Sequence, residues 1–414
     1  MKLIKTSRII LLLSIVFVLS VVVPKYYWMM LAEKPKVPTY IYSSLVHDFI
    51  TMKMINKSIN RFDNNGVKVS RRKFEQLAPL YYYRSLMYHG KMPDSINGVK
   101  LNIEKIKLNT IFTSIKPEDI QTSMILLAPL IESKPDGPKL DMPKDFFRIA
   151  DRMEFINCES NSVEERPSKV FTEALTKAGF TFPAKNFWGN PSTMKPYDDG
   201  YFILDSADNL FHLVKVHGKP IVYKIKMPEG IKPVFVSVTE MRLREFHAIV
   251  VTDKSEVYLI SFDNYKFIKL PLTEYNYRTM QLRISGNIFF RTFTLMDNNS
   301  EKIIVTNRKY EQIASKQYSW TNKWDTGNGK VFSAFFPFTI SLTNGDSTFV
   351  DFYFTFAGWI ALIGIIGSLV FYFFFNLHKK EEKSNCLFDF VLIAFTGVYG
   401  LIAVLLIKDE SWKI

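Results

Sequence analysis

The chain has 414 residues, 47% of them hydrophobic and 15% aromatic, at a mean hydropathy of +0.01. Two cysteines exclude a disulfide framework, and apolar residues concentrated in a few runs exclude a polytopic channel. The formal net charge of +13 suits nucleic acid only if the basic part can reach it, so location has to be settled first.

The first element is IILLLSIVFVLSVVV (9–23), preceded by MKLIKTSR and followed by PKYYWMML. A basic start before an apolar run fits a secretory signal, but Ser20, Val22, Met30 and Ala32 make poor small-x-small cleavage positions. Tyr26, Tyr27 and Trp28 read as an interfacial aromatic belt, and Lys25 can snorkel. Residues 1–31 are therefore expected to be a cytoplasmic start and an uncleaved transmembrane anchor.

Residues 32–199 read as a mixed α/β part. YIYSSLVHDFITMKM (40–54) and RFDNNGVKVS (61–70) have strand composition, with DNNG as a turn. RRKFEQLAPLYYYRSLMYHG (71–90) puts Phe74, Leu77, Tyr81 and Tyr88 near one helical face, interrupted by Pro79. PSKVFTEALTKAG (167–179) is a cleaner helix that stops at Gly179. FPAKNFWGNPSTMKPYDDG (182–200) has the composition of a connection.

From 200 to 350 the texture becomes repetitive. Residues 201–228, 248–272 and 287–318 each read strand, Asp-led turn, strand, turn, strand, with turn aspartates at Asp205, Asp253 and Asp297. One more strand is expected after each copy, at 233–238, 280–285 and 331–336. Four strands in about 45 residues is the arithmetic of a β-propeller blade. The strands at 40–70 could supply a further blade; an open meander or stacked sheet packed on the 71–180 helical part is the alternative.

Residues 351–414 read as a two-helix transmembrane hairpin. Phe352 to Phe375 carries no charge, and Cys386 to Ile407 carries only Asp389. Between them lies NLHKKEEKSN (376–385), whose Lys379, Lys380 and Lys383 mark a cytoplasmic turn. Lys2, Lys5 and Arg8 place the N-terminus on the same side, so residues 32–351 and the tail KDESWKI are expected outside the cytoplasm. That orientation removes nucleic acid as a partner of the basic middle and leaves membrane lipid, cell-wall polymers or other proteins.

The hairpin carries small residues in helical register. Ala357, Ala361, Gly364 and Ser368 share one face of the second segment, and Thr396, Gly400 and Ala403 one face of the third. Small residues allow the close backbone approach on which helix association in lipid depends, so the two faces are expected to meet each other or a partner's helix.

No chemistry-bearing motif emerges. WDTGNGKVF (324–332) lacks the spacing of a phosphate loop and reads as a turn before a strand. His212 and His217 do not have the spacing of a helical metal pair, and Asp198 with Asp199 sits in a loop where solvation explains both. No catalytic, cofactor-binding or metal-ligating residue is expected, although carboxylates distant in sequence could still meet in the fold.

MKLIKTSRIILLLS, YYYRSLMYHGKMPDSINGV (81–99), MPEGI (227–231), REFHAIVVTDKSEVYLISFDNYKFIKLP (244–271), FFPFTISL (335–342) and GWIALIG…TGVYGLIAVLLI resemble an uncharacterised family of Bacteroidetes membrane proteins. The resemblance covers nearly the full chain and brings no catalytic motif. It implies accessory proteins found beside ABC-transporter components. The expectation is an α+β membrane protein with a large β-rich, propeller-like extracytoplasmic domain. Its role is read as a non-enzymatic inner-membrane accessory in a transport or envelope complex, with ABC-transporter subunits among the candidate partners. The alternative is a membrane-tethered periplasmic enzyme or glycan-binding protein.

Overall fold

The computed structural model describes residues 2–31, 37–122, 126–342, 352–378 and 386–407. Lys379, Lys380, Lys383 and the tail 408–414, on which part of the expected orientation rests, lie outside the described residues. The chain divides into two units, Lys36–Ser319 and a second made of Met1–Pro35 with Trp320–Ile414.

α1 (Lys2–Leu31) is rich in Val and Ile, which are indifferent helix formers in water. In hydrocarbon the helix is favoured because it satisfies every backbone group within the segment. Thr6–Leu31 is long and apolar enough to cross a membrane.

The β-rich unit opens with β1 (Thr39–Tyr42), β2 (Phe49–Ile55), β3 (Ser58–Phe62) and β4 (Lys68–Val69), an antiparallel sheet in chain order. Asp63 makes the β3–β4 turn by accepting from Asn65 N at 3.0 Å and Val67 N at 2.9 Å. Pro79 divides the next helical stretch into α2 (Arg71–Leu77) and α3 (Tyr83–Tyr88). The break shifts the helical phase: Phe74 is buried while Tyr81 and Tyr88 are exposed. Then follow β5 (Ser95–Ile96), β6 (Val99–Lys100), α4 (Ile103–Asn109), β7 (Ile111–Ile115), α5 (Pro117–Gln121), the hairpin β8 (Asp145–Ile149) and β9 (Met153–Asn157), and α6 (Glu165–Lys177).

Three antiparallel sheets follow. The first is β10 (Ala184–Gly189), β11 (Tyr201–Asp205), β12 (Leu210–Val216) and β13 (Lys219–Ile225). The second is β14 (Pro233–Val238), β15 (Phe246–Thr252), β16 (Val257–Ser261) and β17 (Phe267–Lys269). The third is β18 (Gln281–Gly286), β19 (Arg291–Met296), β20 (Ser300–Thr306) and β21 (Gln312–Ser319), extended by β7 alongside β18.

The frame of the repeat differs from the expected one by a strand. Each sheet begins with the strand that was assigned to the gap between copies, so β14 and β18 are first strands. β10 lies within the stretch read as a connection, and a boundary at 199/200 cuts the first sheet. Residues 331–336, expected as a strand, lie mostly in a helix described below.

Period-two alternation stacks the sheets face to face. Tyr201, Ile203, Phe211 and Leu213 pack with Phe147, Phe155 and Phe171 of β8, β9 and α6. From the same sheet, Phe202, Leu204 and Leu210 pack the other way, on Val236, Ala248, Val250 and Ile260. Ile249, Val251 and Leu259 then meet Leu282, Ile284 and Phe293 of the third sheet. This double cover explains why β11 and β15 are buried along their whole length. Four-stranded stacking resembles propeller blades, but no closed propeller or barrel forms among the described residues. The strands at 40–70 make a sheet of their own, and it is β7 that joins the repeat.

The second unit resumes with α7 (Gly327–Phe335), β22 (Phe338–Leu342), β23 (Phe352–Phe356), α8 (Ala361–His378), α9 (Cys386–Thr396) and α10 (Val398–Leu406). Thr326 caps α7 by accepting from Gly329 N at 3.1 Å, so the glycine-rich stretch opens a helix where a strand was expected. The run 352–375 is not one helix. It begins as β23, antiparallel to β22, and becomes helical only at Ala361.

The run 386–407 is not one helix either. Arg8 Nη1 and Nη2 donate to Asp389 Oδ1 and Oδ2 at 2.9 and 3.0 Å, and Nη2 also reaches the Ile407 carbonyl at 3.3 Å. A straight helix would separate residues 389 and 407 by roughly 27 Å at ~1.5 Å per residue. One guanidinium can touch both only because the chain doubles back at Gly397, which has φ 57° and ψ −129°. At 11 and 9 residues, α9 and α10 are each about half a ~30 Å hydrocarbon core in length. The stretch expected as one helix is therefore two short helices joined at a reversal, and Ile407 comes back beside Arg8. Tyr372 Oη completes the site by donating to Asp389 Oδ2 at 2.9 Å.

Candidate functional site

The strongest concentration of buried chemistry lies where the first two repeat sheets meet. Asp199 precedes β11, His212 lies in β12 and His247 in β15, and all three are buried. One ligand atom from each lies within 4.8 Å of the others.

Local backbone features bring them together. Gly200 has φ +65°, and a Cβ there would collide with the Leu213 carbonyl, so only glycine lets the chain turn Asp198 and Asp199 under the sheet. The register between β15 and β16 shifts between Phe246 and Ala248, which makes His247 the extra residue of a bulge. A bulge re-aims its side chain, and here it directs an imidazole between two sheets.

His247 Nδ1 donates to Asp199 Oδ2 at 2.7 Å. Its ring is held between Phe262, 3.7 Å away between centroids, and Tyr265 at 4.8 Å. Among the described residues its Nε2 has no hydrogen-bond partner. His212 stacks on Phe202 at 4.4 Å and places Nε2 on the Asp199 carbonyl and Nδ1 2.8 Å from Tyr265 Oη. A carbonyl can only accept, so Nε2 carries the proton and Nδ1 accepts from the tyrosine. Burial pushes the His212 pKa down to about 4, against the opposing pull of Asp199.

A charged layer supports this trio. Lys195 Nζ donates at 2.6 Å to the Asn190 carbonyl, to Asp198 Oδ2 and to Glu240 Oε1. Glu240 also accepts from Asp199 N at 2.8 Å and Asn190 Nδ2 at 2.7 Å. Burial raises the Glu240 pKa, with Lys195 opposing. Asp198 accepts from Gly200 N at 2.9 Å and Ser133 Oγ at 3.2 Å.

Chemically, Asp199 and His247 form a carboxylate-oriented imidazole, the general-base half of a hydrolytic site. Among the described residues no hydroxyl or thiol hydrogen-bonds to that ring, so a nucleophile is not assembled. Two imidazoles and a carboxylate are also a ligand set for a transition-metal ion.

Sequence reasoning missed this site. Asp198 and Asp199 are buried, and solvation does not account for them. His217, weighed there as a partner for His212, sits in the β12–β13 turn with its backbone N on Glu132. The partner of His212 is His247, two strands into the next sheet, and no spacing signals it.

The small residues of the apolar unit fall in several environments. Ala357 precedes α8 and is not helical; its N–H donates to the Pro337 carbonyl at 3.0 Å. Ala361 and Ser368 are buried on α8, and Gly364 lies against Ala334 and Phe335 of α7. Thr396 Oγ1 donates to the Leu392 carbonyl at 2.6 Å, Gly400 lies against Thr396 and Ile393, and Ala403 is buried among Leu12, Val16 and Tyr372. Gly364 and Gly400 are not among each other's nearest neighbours.

No curated protein matches this chain. Among solved structures, PorZ, a surface component of the type-IX secretion system of Porphyromonas gingivalis, is similar at 9% identity and a TM-score of 0.22. The match covers 77% of this chain and 38% of PorZ, so the chain spans well under half of that protein's length. A family model described as a domain of unknown function matches residues 39–306, more than half of the chain and nearly all of the β-rich unit. The chain belongs to that family, DUF4857.

Proposed function

We propose that the protein is a non-enzymatic accessory subunit of a transport or envelope complex in the inner membrane. In this reading α1 crosses the bilayer with Arg8 at its cytoplasmic end. The β-rich unit that follows it in the chain is the periplasmic interaction domain. α8 returns toward the cytoplasmic side, and α9 with α10 enters and leaves the membrane on the side of Arg8. The chain at Ile407 is then on the cytoplasmic side.

The observation that carries the subunit role is β23. Its side chains are all exposed, and the Phe352 ring lies 6.0 Å from Phe17, midway along the apolar span of α1. Among the described residues it pairs only with β22, so its outer edge is open. Open sheet edges do not face lipid, because each unpaired N–H and C=O costs several kcal/mol there. A partner membrane protein that covers this edge resolves the conflict.

A photo-cross-linking residue at Phe354 in native membranes tests it. The expected result is a discrete adduct with another membrane protein; adducts with lipid alone would sink the subunit reading. The second reading, a tethered periplasmic enzyme or binder, is favoured by the Asp199–His247 pair. It predicts a phenotype for loss of that pair even when the Phe354 contact is intact.

A further inference from the structure

We infer that Asp199, His212 and His247 form a binding site for a divalent first-row transition-metal ion that ties the first repeat sheet to the second. The inference is independent of the membrane-complex reading, since it concerns residues of the β-rich unit alone.

Charge is the first argument. Asp198, Asp199 and Glu240 have side chains 2%, 9% and 1% exposed, and Lys195, at 3%, is the one cation hydrogen-bonded among them. Arg244 stands over the Tyr197 ring, 4.2 Å from its centroid, and bonds to none of the three carboxylates. Buried carboxylates need compensation; Lys195 bonds to Asp198 and Glu240 but not to Asp199, whose side chain meets only the His247 imidazole. A divalent ion held by Asp199 and the two imidazoles supplies a cation there.

Geometry is the second. Ligands of a tetrahedral ion at ~2.1 Å stand roughly 3.4 Å apart. The three candidate atoms lie within 4.8 Å of one another, so side-chain movements of about an ångström close the site. His212 Nε2 and His247 Nδ1 are the nitrogens on the Asp199 side.

Proton placement is the third. A ligating imidazole must carry its hydrogen on the other nitrogen. For His212 that hydrogen moves to Nδ1, where Tyr265 Oη accepts it, since a hydroxyl serves as donor or acceptor. For His247 it moves to Nε2, which bonds to nothing else among the described residues. Both rings stay neutral, and no proton has to leave the site. Tyr265 is then a positioning residue behind His212. Two nitrogens and one oxygen suit zinc, iron, nickel or copper better than magnesium or calcium. Three protein ligands leave a coordination position for water or another ligand.

The test uses the full chain in detergent, untagged, stripped with chelator and titrated with Co²⁺ and then Zn²⁺. One equivalent of Co²⁺ should produce visible ligand-field bands, and Zn²⁺ should bleach them. Tyr265→Phe should weaken binding about 10- to 100-fold, and His217→Ala should leave it unchanged. His247→Cys should retain the ion and add a thiolate-to-cobalt charge-transfer band, which keeps the idea open to refutation even if alanine variants fail to fold. A folded wild-type protein without stoichiometric Co²⁺ bands overturns the proposal. So does a folded His247→Cys protein whose cobalt spectrum lacks the thiolate band.

Discussion

The turns at Asp205 and Asp297 between strands of the repeat sheets are written in carboxylates; the reversal at Gly397 in the apolar unit is not. Asp205 Oδ1 accepts from Ala207 N at 2.9 Å and Asn209 N at 2.7 Å, closing the β11–β12 turn. Asp297 Oδ1 does the same for Asn299 N at 2.8 Å and Ser300 N at 2.5 Å between β19 and β20. These carboxylates fix where a strand stops, whatever the hydropathy around them. The apolar runs 352–378 and 386–407 pass through a strand and three helices, and at the Gly397 reversal the neighbouring Thr396 hydroxyl bonds back to the Leu392 carbonyl of its own helix rather than to the turn. Hydropathy reports the solvent a segment prefers; turn chemistry reports its path.

The sharpest way to break that contrast is to remove the charge that holds the apolar path. Arg8 and Asp389 side chains are 10% and 6% exposed, and loss of one partner leaves the other uncompensated. Arg8→Ala or Asp389→Ala should destabilise the apolar unit by about 3–5 kcal/mol. Hydrogen exchange by mass spectrometry should rise across α9 and α10 while the repeat sheets stay protected. Arg8→Lys should rescue poorly, because an ammonium cannot span both carboxylate oxygens in a fork. Unchanged exchange in the alanine variants would mean that the fold-back does not depend on this pair.

The second test reads the candidate site by pH, in chelator so that no metal competes. His212 titrates at 6.5 when unfolded and at about 4 in the fold, because burial disfavours the imidazolium. The unfolded chain therefore takes up a proton first as pH falls. The stabilising contribution is complete above about 6.5, declines as pH drops toward about 4, and is gone below that. The total is about 3 kcal/mol. Melting temperature followed from pH 7.5 to 4.5 should fall more steeply in wild type than in His212→Gln. Parallel curves would remove His212 from the account.

These outcomes bear on how much was legible beforehand. The turns at Asp205 and Asp297 were legible because an aspartate ahead of a turn accepts from the turn's own amides. The frame slipped because β10, AKNFWG, is embedded among Pro, Asn and Gly that mark a connection. The strand expected at 331–336 followed β-branched and aromatic composition, whereas the Thr326 cap three residues ahead of Gly329 started a helix. The site had no sequence signal: His212 and His247 meet through sheet stacking and a bulge, and both are tertiary events. The apolar runs 352–375 and 386–407 read as single helices for a related reason, since apolar length does not distinguish one helix from a strand and a helix or from two short helices.

Gly397 supplies a smaller perturbation on the apolar side. Its φ of 57° with ψ of −129° lies where side chains are strained, and a Cβ there would press on Pro337 at 3.2 Å. Gly397→Ala should cost on the order of 1–3 kcal/mol. Faster exchange should be confined to the α9–α10 junction. A variant with no cost would mean that the reversal tolerates ordinary backbone angles.

The smallest effect separates sequence spacing from structure within the repeat itself. Spacing selects Asp253 as the second-sheet counterpart of Asp205, and both lead into the turn between second and third strands. The hydrogen bonds select its neighbour. Asp205 N donates to the Asn209 carbonyl at 3.0 Å, Asp208 N to the Asp205 carbonyl at 3.1 Å, and Asn209 N to the Asp205 side chain. In the second sheet Thr252 N donates to the Glu256 carbonyl at 3.0 Å, Ser255 N to the Thr252 carbonyl at 2.9 Å, and Glu256 N to Thr252 Oγ1 at 3.1 Å. Asp208 and Ser255 even share positive φ, 63° and 62°. Thr252 is buried, whereas Asp253 is exposed and uses only its backbone N–H, bonded to the Lys232 carbonyl at 3.0 Å. Thr252→Val keeps the shape and removes one acceptor, so it should cost about 1 kcal/mol and speed exchange at the Ser255 and Glu256 amides. Asp253→Ala leaves every bond of the turn in place and should stay within about 0.5 kcal/mol of wild type. The reverse ranking would return the turn to Asp253 and to the spacing that first suggested it.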